Sequence, residues 1–436
     1  MYKNFLVKRN NKLSLLGGKP LISSKLKPYK TIGLKEFISI SDVMKSGYLS
    51  GFIGAWCEEF HGGPKVQELE NSWKNVFKCN HAISVNSNTS GLIAALGAIG
   101  LSPGDEVIVP PMTMSASVIA PLFYGGIPVF VDIEDQFFCL DIEKVKAAIS
   151  DKTKVILAVN LFGHPADLRE LRLLADQKGI YLIEDSAQCP LAQENGVFAG
   201  TIGHIGIFSL NYHKHIQTGE GGICCTNDDQ LAFRLKAIRN HGENIVETLD
   251  VKDATNLLGF NFRMTELSAA VGIEQLKKIS KFVSNRETIA NKLSESTNFI
   301  KGFQPPKVRK DCRHVYYVWA AKVNEDELQI SRNTLAKALL AEGVPIEEGY
   351  CKPLYLLPAF TRRIAIGNNG WPFSMTKINY RKGLCPVAEY TYEKSLLEFC
   401  ICSFQLKNHE LKKVINSFHK IFDNLKDLRE YEQNLK

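Results

Sequence analysis

From about residue 80 the chain alternates short β-rich runs with helical patterns, and this alternation restricts the fold more than any other feature of the sequence. Strand-like runs are read at 82–85, 106–109, 127–133, 154–160, 181–185, 205–210 and 222–226. Between them lie an apolar helical run, 92–99, and an amphipathic one, 167–178, with leucines at helical spacing. Near-continuous apolar strands separated by helices predict an α/β fold with a mostly parallel sheet covered on both faces. Ligands of such sheets bind outside the carboxyl ends of the strands, so the residues just after each strand are the ones to examine. A long helix over about 265–293 is expected to lead into a C-terminal part with its own strand at 315–323 and late helices.

Four segments place polar groups at strand ends or helix starts. Ser87-Asn88-Thr89-Ser90-Gly91 precedes the helix at 92–99. Small residues at a helix N-terminus leave backbone N–H groups for a phosphate, but the same residues also suit a plain capping turn. Glu184-Asp185-Ser186-Ala187-Gln188 ends the strand at 181–185. A carboxylate there can bind a metal, act as a base, hold a protonated ring nitrogen or cap a helix. Lys214 lies between a strand and the turn Gly219-Glu220-Gly221-Gly222, whose glycines point to a constrained backbone rather than a casual surface loop. His213 and His215 flank it, without a clear third metal ligand in the sequence. Asn261 and Arg263, just before the helix start at Thr265, read as polar ligands or as loop residues.

Composition removes several classes. The chain has 436 residues, 45% hydrophobic and 23% charged, ordinary for a globular protein with room for a large and a smaller domain. No apolar run approaches the length of a membrane helix, and the N-terminus shows no signal-peptide pattern. The net charge of +7 comes from scattered Lys and Arg, with no basic cluster interleaved with aromatics, so no nucleic-acid partner is expected. The 11 cysteines form no C-x-x-C pair, which fits free thiols in a reducing cytoplasm.

Taken together, the four segments resemble the sugar aminotransferases of the DegT/StrS type, within the aspartate-aminotransferase fold group. The resemblance runs from about Leu13 to the last helix. Its most specific element is Lys214-x-x-x-x-Gly219-Glu220-Gly221-Gly222, downstream of Asp185. Pro103-Gly104-Asp105-Glu106-Val107-Ile108-Val109-Pro110, Gly259-x-Asn261-x-Arg263-Met264, Pro386-Val387-Ala388-Glu389 and Leu15-Leu16-Gly17-Gly18-Lys19-Pro20 also match.

The resemblance implies a three-layer aspartate-aminotransferase-like fold. It would comprise an N-terminal arm at 1–30, a large domain at 31–275 and a smaller C-terminal α+β domain at 276–436. It implies pyridoxal 5'-phosphate (PLP) as cofactor, Lys214 as its Schiff-base lysine and Asp185 as the carboxylate facing the pyridine nitrogen. Gln188 would lie near the phenolic oxygen, Thr89, Ser90 and Ser209 around the phosphate, and Asn261 would reach the phosphate of a neighbouring subunit in a homodimer. Met114 stands where the family usually stacks an aromatic ring on the cofactor, and Asn88 where it usually has glycine.

Relatives that dehydrate deoxysugars typically carry histidine at the lysine position. Counting back from Gly219 puts Lys214 there rather than His213 or His215, which favours amino transfer over dehydration. The implied reaction moves nitrogen from glutamate or glutamine to a ketosugar, commonly a nucleotide-linked keto-deoxysugar. A cyclitol ketone is an alternative acceptor, and the presence of both Lys214 and Asp185 speaks against a non-enzymatic regulator. The segment 51–61, with Trp56 and Phe60, looks like a lengthened loop that shapes a substrate entrance or packs on the surface.

Overall fold

The computed structural model describes residues 12–435, so the N-terminal residues read above for a signal peptide lie largely outside it. Seven strands form the main sheet: β1 (His81–Val85), β2 (Glu106–Val109), β3 (Ile127–Phe130), β4 (Thr153–Val159), β5 (Tyr181–Asp185), β6 (Ile205–Ser209) and β7 (Gly222–Thr226). Their spatial order is β1-β7-β6-β5-β4-β2-β3. The pairs from β3 to β6 are parallel, and β7 runs antiparallel to both of its neighbours. Because β7 is reversed, its first residue, Gly222, lies opposite Val85 of β1 and Ser209 of β6, at their carboxyl ends. Both sides of the Lys214 loop are therefore anchored at the edge of the sheet where ligands bind.

The strands are buried along most of their length, and β7 along all of it, as expected for a sheet covered on both faces. Helices α1 (Leu34–Ser46), α2 (Pro64–Phe77), α3 (Asn88–Ala98), α4 (Leu168–Lys178), α5 (Asp229–Arg239) and α6 (Glu266–Leu276) accompany it. Behind β6, Phe208 packs with Trp73 and Phe77 of α2, whose rings are stacked 4.6 Å apart. A second hydrophobic core gathers Trp319, Phe399, Leu335, Val414 and Phe418 around a four-stranded antiparallel sheet, and Leu13 and Ile22 join it.

Two expectations change. The helical reading over 265–293 breaks at Lys277–Lys278 into α6 and α7 (Ile279–Glu295). Hydrophobic periodicity continues through the break, but the turn lets Gln275 and Lys278 both bind the buried carboxylate of Glu36 on α1. The strand expected at 315–323 covers only Trp319–Val323. Residues before it run across the end of β4 instead: Val315 N–H donates to Gly163 O and Val318 N–H to Phe162 O. Among the described residues, no helix is long and apolar enough to cross a membrane.

Candidate active site

Strand ends converge on a cavity of about 160 Å³ lined by Ser87, Asn88, Thr89, Thr113, Met114, Asp185, Gln188, Ser209, Asn211, His213, Lys214 and Glu220, among others. A larger groove of about 560 Å³ runs along Asn291, Asn298 and Phe303, but none of the strand-end residues reaches it. Of the residues the resemblance assigns to the cofactor, Thr89, Met114, Asp185, Gln188, Ser209 and Lys214 share the smaller cavity, and Asn88 and His213 line it with them.

The floor is Asp185, the last residue of β5, with 4% of its surface exposed. Strand alternation turns its neighbour Glu184 the other way, where backbone N–H groups of Gly200, Ile202 and Gly203 bind that carboxylate. Glu184 is thus a structural anchor for the 200–203 turn. Asp185 receives Ser117 Oγ at 2.7 Å on one oxygen, and Ala187 N–H at 3.1 Å and Asn88 Nδ2 at 3.4 Å on the other. Burial pushes its carboxyl above the ordinary range, against the opposing pull of Ser117, Ala187, the Lys214 charge and Asn88.

Lys214 is held by a closed loop. Leu210 N–H donates to Gly221 O, Thr218 N–H to Leu210 O, and Lys214 N–H to Asn211 O. The glycines that close it have separate reasons. Gly219 has φ +82°, and a Cβ on Gly222 would meet the backbone of Ser87 and Asn88 at 2.8–2.9 Å. Gly222 therefore lets the reversed strand pass directly beneath the N-terminus of α3. The Lys214 ammonium lies 4.5 Å from the ring centroid of Tyr317, which the 315–318 segment brings over the site. His213, on the rim, is pushed down to about 4 by desolvation and by the Lys214 charge. His215 is turned into the core, where its Nε2 meets Val315 O at 3.0 Å. Among the described residues, no group of three or more His, Cys, Asp or Glu is placed to hold a metal ion.

The opposite wall is the first turn of α3. Ser87 caps it, accepting Ser90 N–H at 3.1 Å, and Thr89 opens onto the cavity. Ser90 is buried and donates its hydroxyl to Asn86 Oδ1 at 2.6 Å; it does not line the cavity. Ser209 ends β6 at the same edge. Gln188 is fixed by Phe162 N–H at 2.7 Å and Tyr350 Oη at 2.9 Å. Met114 sits at the mouth with 61% of its surface exposed. Asn261 is exposed and outside this cavity, its Oδ1 accepting Arg263 Nε at 2.8 Å. The 51–61 segment does not line the cavity; it packs on its own chain, with Asn240 Nδ2 bound to Ile53 O and Phe60 O.

Sequence reasoning missed Tyr317, Tyr350 and Ser117. They come from irregular segments or a short helix, where no periodicity marks the inward face. Asn211 and Glu220 lay within the Lys214 loop, and their 2.8 Å hydrogen bond across it gives them no separate sequence signal.

The donor set fits a pyridine ring carrying a phosphate and an aldehyde. A buried carboxylate and a lysine amine share an enclosed space, beside a helix N-terminus flanked by hydroxyls. The model of the DegT/DnrJ/EryC1/StrS aminotransferase family matches residues 55–382. GDP-perosamine synthase of Escherichia coli O157:H7 is 33% identical over 294 residues, covering 67% of this chain and 79% of that protein. L-glutamine:2-deoxy-scyllo-inosose aminotransferase of Streptoalloteichus tenebrarius is 34% identical, covering 66% and 70%. The crystal structure of S. venezuelae DesV in complex with a ketimine intermediate superposes with a TM-score of 0.74 at 28% identity, covering 89% and 94%.

Because burial raises Asp185, the cofactor-free folded protein holds that proton more tightly than the unfolded chain does. Its stability therefore falls as pH rises above the ordinary aspartate range. Asp185→Asn is expected to remove this contribution, raising the thermal midpoint of the cofactor-free protein at pH 8 while weakening PLP binding about tenfold or more. Calorimetry and a PLP titration check this; a midpoint at pH 8 unchanged or lowered by the substitution contradicts it.

Proposed function

The chain belongs to the DegT/DnrJ/EryC1/StrS aminotransferase family and is a PLP-dependent aminotransferase, and from that premise we propose that it transfers nitrogen from glutamate or glutamine to a nucleotide-linked ketosugar. The lysine amine and buried carboxylate facing one cavity beside a helix N-terminus carry the amino-transfer part of this reading, and similarity to GDP-perosamine synthase supports the nucleotide-linked acceptor.

Bound there, PLP supplies an electron-accepting ring that eases removal of a proton from a carbon attached to nitrogen. Lys214 would hold the cofactor, and its amine would carry a proton between carbons. The Tyr317 ring face lies 4.5 Å from the Lys214 ammonium and favours its charge. Asp185 would face the pyridine nitrogen and favour its protonated form, a cationic partner that offsets the burial of the carboxylate. Thr89 and Ser209, with the first turn of α3, would hold the phosphate, while Ser90, turned to Asn86, braces that turn. Gln188 would donate to the phenolic oxygen, and Met114, at the mouth, would pack against the ring with an adaptable thioether.

Asn261 completes the phosphate site of a second copy of the chain in a homodimer. An exposed apolar set supports this assembly: Leu34, Phe37 and Ile38 of α1, Leu49 and Ile53 after it, and Leu258 and Phe260 beside Asn261. A cytoplasmic location fits the cysteines whose side chains are described, which carry free thiols. A cyclitol ketone is the second reading of the acceptor, favoured by similarity to the scyllo-inosose enzyme.

With amine-labelled glutamate or glutamine and a panel of nucleotide ketosugars and cyclitol ketones, mass spectrometry is expected to find the label in an aminated nucleotide sugar. Label found only in a cyclitol overturns the sugar assignment, and loss of a hydroxyl without label overturns amino transfer. Phe37→Asp is expected to convert the dimer to monomer in light scattering and to lower PLP affinity by an order of magnitude or more. A dimer that persists with unchanged affinity contradicts the assembly.

A further inference from the structure

We propose that Tyr350 is a positioning residue that holds the Gln188 amide, oriented by the Phe162 N–H, with its donor end toward the cofactor cavity. This rests on the PLP reading above.

An amide side chain has an acceptor end and a donor end of nearly the same shape, and only the donor end stabilises an oxygen that carries negative charge. One contact decides the orientation here, and a second holds the amide in place. Phe162 N–H can only donate, and it holds Gln188 Oε1 at 2.7 Å. Tyr350 Oη accepts from Gln188 Nε2 at 2.9 Å. Of the two N–H groups on Nε2, one is used by Tyr350, and the second is what Gln188 has left for the cavity it lines. Turning the amide over would set Oε1 against Tyr350 and Nε2 against a backbone N–H that cannot accept.

The first contact is itself imposed. Phe162 has φ +59°, a left-handed conformation that costs a bulky residue energy and persists only where its surroundings over-determine it. The fixing bonds are Val318 N–H to Phe162 O and Val315 N–H to Gly163 O, from the segment that also carries Tyr317. The second contact comes from late in the chain: Tyr350, packed against the core of the main sheet, follows the edge strand Glu347–Glu348, whose partner is the strand Leu396–Phe399. Its ring packs edge-on against Phe162 at 5.0 Å, so both partners of Gln188 brace each other. Burial above all, helped by Cys351, Glu398 and Asp185 and opposed by the Gln188 hydrogen bond, keeps the hydroxyl protonated. It thus remains a neutral partner through the pH range in which the enzyme is assayed.

A donor on the phenolic oxygen lowers the pH midpoint of the visible absorption band of the PLP-loaded protein, because it stabilises the charge there without a proton. Gln188→Ala is expected to raise that midpoint by about one pH unit. Tyr350→Phe, which keeps the ring and removes the hydroxyl, is expected to raise it by about half as much. In the double variant the Tyr350 change adds nothing, because its effect passes through Gln188.

Three results overturn the proposal: no shift with Tyr350→Phe, a shift of undiminished size in the Gln188→Ala background, or a shift with Tyr350→Leu but not with Tyr350→Phe. The last would assign the effect to packing of the ring. Absence of any PLP-dependent band in the unmodified protein would instead overturn the cofactor reading on which the proposal stands.

Discussion

A carboxylate almost wholly withdrawn from solvent, at the end of β5, is the constraint on which the site depends. Burying Asp185 is unfavourable for its charge, and the structure answers with Ser117, Ala187 N–H and Asn88 on its oxygens and the Lys214 ammonium across the cavity. These partners lessen the penalty without removing it, so the carboxyl stays above its ordinary range. The remaining deficit is what a protonated pyridine nitrogen would satisfy. A buried carboxyl perturbed in this way, sharing a cavity with a lysine, is a common trade of stability against function.

The backbone explains how the two charged groups come to share that space. Reversal of β7 returns the chain to the carboxyl edge of the parallel strands, so the loop between β6 and β7 starts and ends beside β1 and β5. Gly222 allows the return beneath the first turn of α3, which places a helix N-terminus, a lysine and a carboxylate around one cavity. Segments late in the chain pack against the core of the main sheet and bring Tyr317 to Lys214 and Tyr350 to Gln188, so the site depends on contacts from both halves of the chain.

Much of this was legible because strand identity and strand ends are local properties. The runs at 106–109, 181–185 and 222–226 coincide with β2, β5 and β7, since a strand buried on both faces needs an unbroken apolar run that glycine and polar residues punctuate. Lys214, Asp185, Thr89, Ser209, Gln188 and Met114 each follow such an end and reach one cavity. What stayed hidden depends on tertiary contact. The turn at Lys277–Lys278 serves a buried carboxylate on α1, and residues 315–318 leave the strand pattern to hydrogen-bond a left-handed turn at Phe162. Neither feature alters hydrophobic periodicity. Asn261 lies on the surface beside exposed apolar residues, outside the cavity that the other residues share.

The most direct measurement of the central claim is borohydride reduction of the PLP-loaded protein followed by peptide mapping. The account predicts a stable pyridoxyl adduct on the peptide containing Lys214, and much slower loading when Asp185 is changed to Ala. An adduct on another lysine, or loading indifferent to Asp185, would contradict it.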